Sequence, residues 1–434
     1  MTDVIFLLDP QLVPSSPGND IHVLLYGGEP VQIGTGAIGA QLRDEASRLG
    51  VQPTVAAMDF VSLALAVTAA DTFVQRDDAD NGWSREIHVV LPLHAPQPWT
   101  AVKTELEDAL RFLSGDNWKF EFVNGGEPPP TRQRVRSRQR TISIGNVDLV
   151  SLFSGGLDST ISTIELLRGG KRPLLVSHAY RGDAQKQDLI AGQLPNNPQR
   201  FSVNAHPTWS GTSDVSMRTR SFNFIAFGVL AAQARSSFRN GVTELLMPEN
   251  GLIALNAPLT PRRIGSLSTR TTHPHFLASV QAILTLVGLE VTIRNPYEAT
   301  TKGEMVLGMA SYPGFERIAS ETVSCGKWKR TNRQCGRCVP CLIRRASFYA
   351  GAVDDKTDYE EADLVKVMSD EDNRDDLVAM MTAVQRLATE NIGRWAARAG
   401  PLPINAQRRS DILDVHRRGL TEVGNFLRDS GLPV

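Results

Sequence analysis

Two groups of residues carry chemistry in this chain of 434 residues. The first is Ser154-Gly155-Gly156-Leu157-Asp158-Ser159-Thr160, which follows the apolar run Val147-Asp148-Leu149-Val150-Ser151-Leu152-Phe153 and opens a helical pattern over 161–167. A strand that ends in glycines and hydroxyls and then turns into a helix presents backbone N–H groups to phosphate. Gly155 and Gly156 let the backbone approach a pyrophosphate, while Ser154, Ser159 and Thr160 offer hydroxyls and Asp158 a carboxylate that could hold a magnesium ion. The plain structural alternative is a tight turn with serine capping. The second group is Cys325, Cys335, Cys338 and Cys341, spaced C-x9-C-x2-C-x2-C, with no other cysteine in the chain. Four thiolates at that spacing can converge on one tetrahedral zinc ion, which would staple a loop and catalyse nothing. Free thiols and an iron–sulfur cluster are the competing readings.

The elements that must position these groups follow from hydrophobic periodicity. Over 142–354 strand and helix alternate, with strands at 149–153, 173–177, 244–247 and 291–294 and helices at 161–167, 222–235 and 276–287. That alternation predicts an α/β fold with a doubly wound, mostly parallel sheet that binds ligands at the carboxyl ends of its strands, where the glycine loop lies. Residues 1–123 read as a small α+β domain, with strands at 4–8, 21–26 and 87–93 and a helix over 58–74. Trp83, Trp99 and Trp118 in that block are assigned to core packing rather than a partner surface. A linker spans 124–141, where Gly-Gly-Glu-Pro-Pro-Pro is followed by Arg132, Arg134, Arg136, Arg138 and Arg140, a charge ladder on one side of an extended strand. Residues 355–434 read as amphipathic helices over 364–368, 377–388 and 412–427.

Composition adds bounds. The chain is 41% hydrophobic and 21% charged with a formal net charge of −1, which gives no global electrostatic case for nucleic acid. No basic leader precedes the first apolar run and no stretch reaches membrane-span length, so a cytoplasmic protein is expected. In a reducing compartment clustered cysteines favour metal over disulfides.

Ser-Gly-Gly-x-Asp-Ser after a strand resembles the PP-loop of the ATP pyrophosphatase superfamily, a Rossmann-like fold whose members split ATP between its α and β phosphates. With the cysteine cluster ending Cys338-x2-Cys341-Leu342-Ile343-Arg344-Arg345, Arg220 opening an apolar helix, and Asn295-Pro296-Tyr297 leading to Thr301-Lys302-Gly303-Glu304, the chain resembles the QueC-type 7-cyano-7-deazaguanine synthase family over about 145–350. That resemblance implies ATP, Mg2+ and Zn2+ as cofactors and adenylation of 7-carboxy-7-deazaguanine. It places pyrophosphate on Ser154, Gly155, Gly156, Leu157, Asp158, Ser159 and Thr160, and adenosine beside Ser177 and His178. Asp158, Arg220 and Lys302 become the catalytic group, with the two cations on the transition-state phosphate; surface salt bridges are the alternative for both.

The family's substrate segment is missing, replaced by 247–253 and 265–276, so Glu249, Asn250, Arg270 and His273 are the substrate-binding candidates, with loop capping as the alternative. The changed segment and the extra regions look like the QueC-like proteins of bacterial anti-phage operons, the Qat systems and type IV CBASS. For that branch the expected acceptor is an amine of a partner protein. The housekeeping nitrile synthase using ammonia, a PP-loop enzyme that modifies tRNA, and an inactive nucleotide-binding scaffold remain open alternatives.

Overall fold

The computed structural model describes residues 1–15, 18–130, 141–178, 183–214, 218–263, 270–328 and 332–434. The arginine ladder at Arg132–Arg140 and the stretch 265–269 lie outside the described residues. Around the glycine loop, β6 (Leu149–Leu152), β7 (Pro173–His178), β8 (Arg200–Val203), β10 (Thr243–Leu246) and β11 (Val291–Arg294) form one sheet in the order β11-β10-β6-β7-β8, all parallel. The central strand β6 is buried throughout, and its C-terminal end delivers the loop. This is the expected doubly wound architecture.

The first block departs from the expected α+β arrangement. β1 (Thr2–Leu7), β2 (Ile21–Gly27), β3 (Thr35–Gly39), β4 (Glu86–Leu93) and β5 (Asn117–Asn124) pair in parallel in the order β5-β4-β1-β2-β3. β9 (Thr208–Trp209), from the later part of the chain, completes that sheet by pairing antiparallel with β3. The block is therefore a second α/β layer joined to the first by a strand. Helix Val55–Phe73, 19 residues long, is apolar enough to cross a membrane by length and composition, contrary to the expectation that no stretch is. It is instead buried on nearly every side, the signature of a core helix. It packs on helix Arg220–Arg239, with Phe60 edge-on to Phe222 at 5.4 Å, and one hydrophobic core runs through both sheets. Trp99 and Trp118 lie in that core, whereas Trp83 is partly exposed under the Arg218 guanidinium, 4.1 Å from its ring centroid.

The C-terminal region is helical, as expected, with its main helices at Leu364–Ser369, Asp375–Arg386 and Ala406–Asp429. It forms a separate core with helix Val339–Ala350 and the segment after Asn250, and Trp395 Nε1 donates to the Pro258 carbonyl at 2.8 Å.

Candidate active site

The loop starts where β6 ends. Gly155 has φ +79°, and a Cβ there would come within 3.1 Å of the Gln187 side chain, so glycine answers both the backbone twist and the close approach. Gly156 precedes helix Leu157–Arg168 and no side chain caps that helix. Its first-turn N–H groups thus face outward without a capping oxygen, which is the arrangement an anion completes. The hydroxyls stabilise the loop from within: Ser159 Oγ and Thr160 Oγ1 both donate to the Gly156 carbonyl, at 3.1 and 2.8 Å, and Ser154 Oγ accepts from Gly156 N–H at 3.2 Å. Serine capping of the helix is therefore not what these residues do. Ser177 Oγ, at the end of β7, donates to the Phe153 carbonyl at 3.1 Å, and His178 is buried with Nε2 3.5 Å from Asn223 Nδ2 and its ring near Phe227.

Asp158 is the centre of the site. Its Oδ1 meets Lys302 Nζ at 2.8 Å, and its Oδ2 accepts from Asn250 N–H at 2.9 Å and from Asn250 Nδ2 at 2.7 Å. Asn250 Nδ2 also reaches Glu249 Oε1 at 3.3 Å. Four residues picked from the sequence for three different tasks therefore form one cluster. Both side chains of the Asp158–Lys302 pair are almost sealed from solvent. Burial works to raise the Asp158 pKa, but the Lys302 charge and the Glu249 and Asn250 hydrogen bonds outweigh it and hold the carboxyl below its ordinary range. Burial, and then the charge of Asp158, push Glu249 well above the ordinary carboxylate value.

The fit of the expected cofactors differs. Asp158 pairs with Lys302 through Oδ1 and with Asn250 through Oδ2, so as arranged the residue anchors these two partners. The four cysteine sulfurs, by contrast, are buried and lie within 4.8 Å of one another, with Cys335–Cys341 at 4.0 Å and Cys325–Cys338 at 3.9 Å. Tetrahedral zinc with bonds of about 2.3 Å needs sulfurs about 3.8 Å apart, so this set fits the ion. Backbone N–H groups of Lys327, Cys335 and Cys338 point at the sulfurs, as thiolates require. The knuckle is wired to the loop, because Val323 N–H donates to the Gly155 carbonyl at 3.0 Å.

Other candidates stand apart from the cluster. Arg220 pairs with Asp183 at 2.7 Å, at the start of the helix that carries Gln187 against the loop. Arg270 donates to the Phe112 carbonyl at 2.8 Å and lies over the Phe112 ring, and buried His273 packs edge-on to the same ring while its Nδ1 accepts from His275 N–H. Their described contacts place both at the seam with the first block. Beside Asn250, a cleft of about 320 Å³ is lined by Leu252, Ile253, Lys327, Val339, Ile343 and Met380 among others, with the Arg263–Asp376 ion pair in its wall.

Residues 271–351 match the protein family described as Queuosine biosynthesis protein QueC. The 7-cyano-7-deazaguanine synthases of Brucella ovis, Brucella canis and Brucella suis are each 36% identical to the chain over 85 residues, which is 19% of this chain and 34% of each relative. The chain thus spans about a third of the length of the curated relatives it matches. The matched family segment contains His273, Lys302 and all four cysteines, and the glycine loop lies outside it.

Proposed function

We propose that the protein is an ATP-dependent enzyme of the 7-cyano-7-deazaguanine synthase kind, which adenylates a 7-deazaguanine carboxylate and transfers the acyl group to an amine. The observation that carries this reading is the meeting of Asp158, at the first turn of the uncapped loop helix, with Lys302 from the segment that matches the family. In the first step the carboxylate oxygen attacks the α-phosphorus of ATP, pyrophosphate leaves, and an acyl adenylate forms. In the second an amine attacks the acyl carbon, AMP leaves with the bonding pair, and the amine loses a proton. The loop N–H groups bind the phosphates, and Lys302, fixed by Asp158, keeps two further N–H donors for the charge that develops on them. Magnesium would neutralise phosphate charge when bound, and zinc in the knuckle would hold the loop through Val323.

The amine we assign to a partner protein in anti-phage defence, in the cytoplasm, since the chain carries a changed substrate segment, an added α/β layer and a helical tail that a minimal synthase lacks. Purified protein incubated with ATP, magnesium and 7-carboxy-7-deazaguanine, with and without the product of the adjacent gene, is read by intact mass. A mass increment on the partner that requires Asp158 is the expected result. Free nitrile formed with ammonia would identify a pathway synthase instead, and absence of pyrophosphate release with any carboxylate acceptor would overturn the adenylation reading.

A further inference from the structure

The C-terminal helix Ala406–Asp429 reaches back to the two segments that grip Asp158. On the Lys302 side, Glu422 accepts the Gly303 N–H at 3.1 Å with one oxygen and the Thr301 hydroxyl with the other. Thr301 caps the helix that Lys302 opens, in a reciprocal box with Glu304. A Cβ on Gly303 would lie 2.6 Å from the Glu422 carboxylate, so an alanine there would have to push that carboxylate away. Arg418 pairs with Glu304 and donates to the Ala299 carbonyl at 2.9 Å, and Arg408 holds Glu298 through two bonds of 2.7 and 2.8 Å. On the Asn250 side, Val415 and Gly419 of the same helix pack against Gly251 and Leu252. Gly251 N–H donates to the Thr300 carbonyl at 2.9 Å, which ties the two segments together.

We infer that Glu422 is a positioning residue for Lys302, and that the C-terminal helix holds Lys302 and Asn250 in register around Asp158. The inference rests on the adenylation reading for its kinetic consequence only. Glu422 touches neither the loop nor the cleft in the described contacts, and it acts through the backbone of Thr301–Gly303. Burial raises its pKa above the ordinary carboxylate value; a glutamine in its place keeps the side-chain length and one accepting oxygen for the Gly303 N–H. The helical tail thereby becomes part of the catalytic apparatus.

The test compares Glu422→Ala and Glu422→Gln by two independent readouts. In the first, a small amine-acylating reagent is applied to the full chain and modification of Lys302 is followed by peptide mass, with exposed Lys119 as the internal reference. Glu422→Ala should raise Lys302 modification about tenfold over wild type through local opening, and Glu422→Gln should leave it within about threefold. In the second, Glu422→Ala should lower kcat for pyrophosphate release by about a hundredfold with a much smaller change in KM for ATP, while Glu422→Gln restores most of it. Should Glu422→Ala fail to fold, Gly303→Ala pushes the same two groups apart from the other side and should expose Lys302 equally. Wild-type labelling and wild-type kcat in Glu422→Ala would overturn the inference. A wild-type protein that releases no pyrophosphate would overturn the adenylation reading alone, because the labelling contrast still judges the positioning.

Discussion

Asp158 keeps its charge in a nearly dry setting only because Lys302 and Asn250 answer it. Removing one member of such a pair leaves an uncompensated buried charge, whereas removing both leaves a neutral, packed site. Lys302→Met should therefore cost about 3–5 kcal/mol in denaturant unfolding, and the double change Asp158→Asn with Lys302→Met should recover much of it. Pyrophosphate release should be lost in both, so stability and activity part company in one cycle. Coupled recovery of the two would mean that the pair is structural only. All four members of this cluster were legible as residue types in the sequence. Their meeting was not, since Asn250 and Lys302 are brought to Asp158 by strand order, with β10 beside β6, and no local pattern encodes that. Glu422 left no signal either: a glutamate in an amphipathic helix reads as solvated surface until the glycine it faces is known.

At the scale of elements, the four-cysteine knuckle is a candidate metal site built around a tight turn. Gly336, between the second and third cysteines, has φ +76°, and a Cβ there would sit 2.2 Å from the Glu361 carbonyl oxygen. Gly336→Ala must both strain the backbone and push away the segment at Glu361 that lies against the knuckle, at a cost of about 1–3 kcal/mol from the strain alone. Its expected outcome resembles metal removal: substoichiometric zinc by elemental analysis, and weaker ATP binding because Val323 no longer fixes Gly155. Full zinc occupancy with wild-type ATP affinity would break the link between knuckle and loop. The elements flanking the loop were legible because continuous apolar runs bounded by turns mark buried parallel strands. β3 was not, as its five residues, Thr35-Gly-Ala-Ile-Gly, include two glycines and an alanine where a strand normally shows β-branched or aromatic side chains. Two-residue β9 is defined by its partner rather than by its own sequence. With β3 and β5 unseen, the parallel order of the first block was hidden, and an α+β reading followed.

The whole molecule is held along two seams, and a buried histidine sits in each. His273 lies between the main sheet's helix Pro274–Leu286 and Phe112 of the first block. His416, on the C-terminal helix, packs edge-on to Trp395 at 4.9 Å, where the tail closes on Pro258. Both are fully buried, and burial drives their pKa values down, to about 3 for His273, with His275 and Arg270 adding repulsion, and to about 4 for His416, with Arg386 adding repulsion. In the unfolded chain each titrates near the ordinary histidine value of about 6.5, so between that pH and the folded values the unfolded state binds more protons. Stability must then fall as pH drops through this window, with the neutral buried form fully favoured only above it. For His416 the shift corresponds to up to about 3 kcal/mol, a large part of the stability of an ordinary domain. Unfolding free energies measured from pH 7 to pH 4 should decline, and His416→Leu, which keeps an apolar side chain of similar bulk and removes the titration, should flatten the decline. An unchanged slope in that variant would place the acid sensitivity elsewhere. Because the tail closed by His416 also carries Glu422, loss of activity on acidification should precede global unfolding, as the register of Lys302 fails when the seam opens.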